Sequence, residues 1–205
     1  RKLRSYVVEQ RFYERFGPRT ALACRVPACL GATPIDGGQA FILEDLDAAG
    51  FAQRFRDTPR QLAAAVEWLA RFHATFLGAA PDGLWPEGAY WHLATRPDEL
   101  EATTDRRLKR AAAALDAQLT GARHRTLIHG DAKVANLCFA ADDRGVAAVD
   151  FQYVGGGVGV KDLAYLLSSA LTERELAAQA DALVDAYFAH LRAALPPTVD
   201  AAALE

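Results

Sequence analysis

Apolar residues recur along this chain in two rhythms. One repeats every third or fourth position and marks helices; the other runs in short blocks and marks strands. Over residues 1–16, Leu3, Tyr6, Val7, Gln10 and Tyr13 fall at helical spacing, and Gly17-Pro18 stops the pattern. Residues 58–78 predict the clearest helix. Leu62, Val66, Leu69, His73 and Phe76 share one face, Thr58 can cap it, and Pro59 suits its first turn. His73 lies inside this apolar stripe and reads as a structural, partnered histidine. Residues 98–119 predict one mixed-charge helix with an acidic start, which suits the positive end of the helix dipole. Residues 160–171 place Leu163, Leu166, Leu167 and Ala170 on one side. Residues 172–195 open on Thr172 with Glu175 three positions on, a capping box. Leu176, Ala180, Leu183, Tyr187 and Leu191 face inward before Pro196-Pro197.

The strand rhythm is sparser. Residues 24–32 and 39–46 predict two strands joined by the turn cluster 33–38. Residues 137–139 and 146–149 are apolar runs separated by Ala-Ala-Asp-Asp-Arg-Gly, which predicts a hairpin, with another run at 126–128 before it. Residues 79–97 show no period and read as a loop-rich insertion. Its Trp85, Tyr90 and Trp91 either pin the loop to the core or line a pocket. Helices dominate and strands cluster locally, so the fold class is α+β. No internal repeat is present.

Composition narrows the function. The 205 residues suffice for a real core and are 51% hydrophobic and 24% charged, with a formal net charge of −3. That balance argues against nucleic-acid binding, which calls for a basic patch. No apolar run approaches membrane-spanning length. Cys24, Cys29 and Cys138 form neither a disulfide framework nor a zinc spacing, so a reducing, cytoplasmic compartment is expected. The chain holds no Met and opens on Arg1, which reads as loss of the original N-terminus.

The candidate chemistry lies in residues 125–152, RTLIHGDAKVANLCFAADDRGVAAVDFQ. Asp131 precedes Asn136 by five positions, and the hairpin that follows ends in Asp150. Closing the hairpin brings two carboxylates and an amide oxygen around one small volume. Mg²⁺ takes hard oxygen ligands and keeps several waters, so Asn136 and Asp150 suffice beside nucleotide phosphates. Asp131 can then orient an attacking hydroxyl and take its proton.

The series His129-Gly130-Asp131-Ala132-Lys133-Val134-Ala135-Asn136, followed by Asp150-Phe151-Gln152, has kinase catalytic-loop and metal-loop spacing. HGDxxxxN with VDFQ and KDLAYLL resembles the aminoglycoside phosphotransferase and choline kinase superfamily, and most closely its ecdysteroid-kinase-like branch. The resemblance implies a protein-kinase-like fold, with a partial N-terminal lobe over 1–46 and a helical C-terminal lobe over 47–205. It implies ATP and Mg²⁺ as cofactors and a small-molecule hydroxyl acceptor. Glu44, Asp45 and Leu46 then correspond to the hinge that meets adenine, and Glu9 to the helix Glu that pairs with a phosphate-binding Lys. The alternatives are a plain strand end and an exposed helical Glu. Lys133 either reaches the γ-phosphate or is solvated. Asp162 resembles the Asp that holds the catalytic loop from below; helix capping is the alternative. The run 153–159 resembles the flexible segment beside the acceptor. Neither a Gly-rich phosphate loop nor a strand-borne Lys is found before Glu9, so this chain alone is expected to bind ATP weakly and turn over little. The rival reading is a kinase-like module that binds a ligand or partner without turnover. A hydrolase is disfavoured because G-x-S-x-G is missing.

Overall fold

Phe12 and Phe151 stack with ring centroids 3.8 Å apart, and around this pair the computed structural model gathers its core. It describes residues 2–21, 23–89 and 92–196. Helix α1 (Lys2–Arg11) runs on into a π-helical turn (Phe12–Phe16) and a 3₁₀ turn (Gly17–Thr20). The stripe expected on α1 is rotated. Leu3 and Val7 are exposed, whereas Ser5, Val8, Glu9, Phe12, Tyr13 and Phe16 face inward. Two polar residues on the inner face hid the true register from a periodicity reading, and the π turn adds a further offset.

Strands β1 (Cys29–Ile35) and β2 (Gly38–Leu43) pair antiparallel around Asp36-Gly37. The hairpin therefore turns on two residues, not on the six of 33–38. Gly37 takes the positive φ of 70° that such a tight turn demands. Helix α2 (Pro59–Thr75) starts as expected: the Thr58 hydroxyl accepts from the Gln61 N–H at 3.2 Å. Its stripe of Leu62, Val66, Leu69, His73 and Phe76 is buried.

The single helix expected over 98–119 is two, α3 (Pro97–Ala102) and α4 (Arg106–Thr120). Asp105 breaks it by capping α4, its carboxylate accepting from Arg107 and Leu108 N–H. The acidic start stands in the first turn of α3, exposed, with Asp98 and Glu99 pairing with Arg96.

Strand β3 (Thr126–Ile128) precedes the loop of interest, and β4 (Leu137–Phe139) and β5 (Val146–Ala148) form the expected hairpin. One strand was not expected. Gly155–Gly157 is β6, buried and antiparallel to β3, not a flexible segment. Gly155 and Gly156 are steric necessities against backbone, and Gly157 is crowded by a side chain. A Cβ on Gly155 would strike the Trp85 carbonyl, one on Gly156 would lie 2.7 Å from the Pro86 oxygen, and one on Gly157 2.7 Å from Ile128 Cδ1. The insertion lies along this strand: Gly156 N–H donates to Trp85 O at 3.0 Å and Gly88 N–H to Gly156 O at 2.8 Å. Trp85 thus pins the loop, its indole N–H donating to Gln152 O at 2.8 Å; Tyr90 and Trp91 lie outside the described residues.

Helices α5 (Val160–Ala170) and α6 (Glu173–Ala194) complete the chain, α6 opening on the expected Thr172–Glu175 capping box. Helix α6 packs mainly on α2 and also on α5. Among the described residues no helix is long and apolar enough to cross a membrane.

The close approach of Trp85 to β6 makes Gly155→Ala a severe overpacking substitution. It should cost about 2 kcal/mol or more, read as a lower urea midpoint at unchanged slope.

Candidate active site

The segment after β3 is shaped by a carboxylate beneath it. Asp162, in the first turn of α5, accepts from the His129 N–H at 2.6 Å and the Gly130 N–H at 3.0 Å. It does not cap its helix. His73 Nε2 on α2 lies 3.1 Å from the same carboxylate, and His73 Nδ1 lies 2.9 Å from the Tyr187 hydroxyl on α6. Burial alone would push the Asp162 carboxyl up. The His73 hydrogen bond and charge, the His129 charge and the Gly130 N–H hold it below the usual range. Gly130 has φ +82°, and a Cβ there would fall on the Tyr153 carbonyl, so only glycine lets the loop pass.

That turn presents Asp131. Its Oδ2 accepts from Asn136 Nδ2 at 3.0 Å and from the Lys133 ammonium at 2.8 Å. Asn136 Nδ2 also donates to the Asp131 carbonyl at 2.8 Å. Lys133 is thus held by Asp131, which pushes its ammonium above the usual lysine range. The β4–β5 pairing continues one step, Val149 N–H donating to Asn136 O at 3.0 Å, and so puts the residue before Asp150 against the Asn136 backbone. Asp150 has a φ of 67°, a strained backbone for a residue with a Cβ, and its Oδ1 is buried with no hydrogen-bond partner among the described residues. His129 is an ordering residue here, its Nε2 3.0 Å from Val149 O and its ring packed on Phe151.

Glu9 reaches the same place from α1. It is buried, and its Oε1 accepts from the Phe151 N–H at 3.2 Å. Burial first, and then the Asp150 charge, push its carboxyl up to about 7. The other three cofactor candidates lie apart, after β2. The Glu44 carboxylate pairs with Arg25 and accepts from Ala28 N–H at 3.1 Å, contacts that hold it below the usual range. Asp45 Oδ1 caps the next turn, accepting from Asp47 and Ala48 N–H. Leu46 is buried against Cys138 and Ala147. The side chains of these three serve the fold, and so do the Glu44 N–H, Asp45 O and Leu46 O, bonded to Ala28 O, Ala49 N–H and Phe51 N–H.

The donor set fits a hard divalent cation. An orphaned carboxylate oxygen on Asp150 beside an amide is oxygen-rich and incomplete, as Mg²⁺ shared with phosphates requires. Among the described residues no cluster of three or more His, Cys, Asp or Glu suits a metal held by protein alone.

Residues 3–197 match the model of the phosphotransferase enzyme family. The chain belongs to this family. A comparison with curated protein sequences finds no match. Among solved structures, the phosphotransferase chain is similar to an amicoumacin kinase in complex with AMP-PNP, Ca²⁺ and amicoumacin. Identity is 17% and the TM-score 0.61, over 94% of this chain and 63% of that one. It is also similar to an aminoglycoside phosphotransferase from Streptomyces rimosus in complex with ADP and streptomycin (15% identity, TM-score 0.57, 98% and 80% covered). A choline/ethanolamine kinase family protein from Mesorhizobium loti is likewise similar (20%, 0.58, 92% and 62%). These likenesses show a protein-kinase-like phosphotransferase fold, of which the chain spans under two thirds in the first of them.

Sequence reasoning missed one feature of this region. Lys161 pairs with Glu87 at 2.9 Å, and Glu87 with Arg125 at 2.8 Å. Burial opposes the Glu87 charge, but these two cations hold its carboxyl below the usual range. Residues 74 positions apart carry no local signal of pairing.

Glu9 provides a test without any ligand. Its folded pKa lies above the unfolded value of 4.5, so the native state binds the extra proton between about pH 4.5 and 7. Stability should fall as pH rises through that window, by at most about 3.5 kcal/mol at ~1.4 kcal/mol per unit. Glu9→Gln should flatten the fall when melting is followed with chelator present; an unchanged slope would show that Glu9 is not the titrating group.

Proposed function

We propose that this phosphotransferase moves the γ-phosphate of ATP to a hydroxyl on a small molecule. The observation that carries the reading is the Asp131–Asn136 pair set beside the unpartnered Asp150 oxygen. In this reading Asp131 aligns the acceptor hydroxyl and accepts its proton as the oxygen attacks phosphorus. The Lys133 ammonium, now on Asp131, shifts toward the γ-phosphate when a substrate hydroxyl takes its place. Asn136 and Asp150 would hold Mg²⁺. When bound, that ion neutralises charge on the β- and γ-phosphates. The backbone of Glu44, Asp45 and Leu46 meets the adenine edge. Glu9 supplies the carboxylate to which a phosphate-binding Lys pairs, and such a pairing would return its pKa toward the usual range. A cytoplasmic setting supplies both ATP and Mg²⁺, and the wording VDFQ and KDLAYLL favours the ecdysteroid-kinase-like branch.

Support also comes from the chemistry that the site lacks. Both His129 ring nitrogens are engaged, Nε2 at Val149 O and Nδ1 by the Asp131 N–H, which leaves Asp131 as the carboxylate at the loop.

Two measurements on the product of the complete reading frame test the roles. Asp131→Asn should lower transfer by about two decades or more while Mg·AMP-PNP binding in calorimetry stays within a few-fold. Near-normal turnover by this variant would remove Asp131 from the mechanism. Asp150→Ala should weaken Mg²⁺-dependent nucleotide binding more than Asn136→Ala, because a carboxylate is the stronger ligand for a hard cation. Negligible effects of both would sink the metal assignment.

A further inference from the structure

A cavity of about 720 Å³ opens beside the catalytic loop between α4, α5 and α6. Its wall begins at Gly130, the residue before Asp131, and at Tyr165, whose phenol lies within electrostatic reach of the Lys133 ammonium. From there it runs back over Leu119, Leu176, Ala180 and Val184. The volume suits a drug-sized organic molecule.

The charge of this wall is the informative part. Among the described residues lining it there is one carboxylate, Asp162, and one cation, Lys161. Both carboxylate oxygens of Asp162 are taken, by two backbone N–H groups and His73, and the residue is buried. Lys161 is neutralised by Glu87 at 2.9 Å. A polycationic ligand would have to shed its water and find no free carboxylate in return, at a large desolvation cost. An apolar body would gain by burial against Leu, Ala and Val side chains. The capping-box helix α6 fixes the far wall with Leu176, Ala180 and Val184 at four-residue spacing, so these side chains form one continuous apolar strip.

We infer that this cavity receives the body of the acceptor, and that the acceptor is an uncharged alcohol on a bulky apolar framework, not a polyamine sugar. The inference rests on the phosphoryl-transfer reading for the reacting end of the pocket. There the alcohol oxygen forms a bond to the γ-phosphorus of a nucleoside triphosphate as the bond to the bridging β–γ oxygen breaks. The hydroxyl proton passes to the Asp131 carboxylate, and the products are a phosphate monoester and the nucleoside diphosphate.

The test uses the 205-residue chain and 9-anthracenemethanol, a fluorescent, uncharged, apolar alcohol. Its anisotropy should rise on binding, be reversed by 1-adamantanemethanol but not by neomycin, and change little between low and high salt. Ala180→Trp, which fills the cavity, should weaken binding about tenfold or more. Val184→Thr, nearly the same shape and at a partly exposed position, should weaken it a few-fold while the melting temperature stays within a few degrees. Failure of both alcohols to bind, or insensitivity to both substitutions in folded protein, overturns the inference. So does salt-sensitive binding of neomycin in their place. The transfer reading is judged separately, on the product of the complete reading frame with Mg·ATP, by the mass of a phosphate ester. Alcohol binding without any phosphate ester on an alcohol panel refutes transfer and leaves the pocket standing. Phosphorylated neomycin without alcohol binding does the reverse.

Discussion

One buried carboxylate holds this molecule's working parts in register. Asp162 has no water to share its charge with, so its hydrogen bonds must come from protein. They come from three places: the backbone of the loop before Asp131, His73 on α2 and, through His73, Tyr187 on α6. A buried charge that loses one such partner costs several kcal/mol, so the loop, α2, α5 and α6 are stable only when assembled together. The same arrangement frees Asp131 from structural duty. The residue under the loop carries the load, and the residue on the loop meets Asn136 and Lys133.

A different physics holds the opposite side. The Phe12–Phe151 stack and the surrounding Tyr13 and Phe72 rings fix α1 against the end of the hairpin. That packing brings Glu9 and Asp150 within reach of each other's charge, with Glu9 and the Asp150 Oδ1 buried and neither carboxylate paired with a cation among the described residues. Local preferences are violated together here: an Asp at positive φ, an orphaned oxygen and a carboxyl pushed up by burial and then by its neighbour's charge. Such frustration is expected where a protein keeps a place for charge that arrives from outside.

How legible was this in the sequence? The hairpin was, because β4 and β5 are apolar runs around a polar turn, as was the closeness of Asp131 to Asn136. Helices α2 and α6 were, since Thr58, Thr172 and Glu175 are local caps whose chemistry acts within three residues. The failures have physical causes. On α1 the inward face carries Ser5 and Glu9, so the hydrophobic rhythm pointed to the wrong side. In 98–119 the apolar rhythm overrode the Asp105 cap. The strand of glycines was unreadable locally, because its reason lies in Trp85 and Ile128. The cavity wall was half visible as a stripe on α6, but a stripe facing a void and a stripe facing a core look the same in sequence.

Strand β6 has a consequence for how this protein can vary over generations. Any amino-acid change at Gly155, Gly156 or Gly157 adds atoms where the backbone of 85–86 or the side chain of Ile128 already lies. Drift on one partner is therefore closed unless the other has first moved. The three glycines and the loop that covers them form a single heritable unit, free to diverge only by exchanging loop and strand together. Descendants that acquire a different cover over this edge of the site should carry it as a block, not as a scatter of point changes.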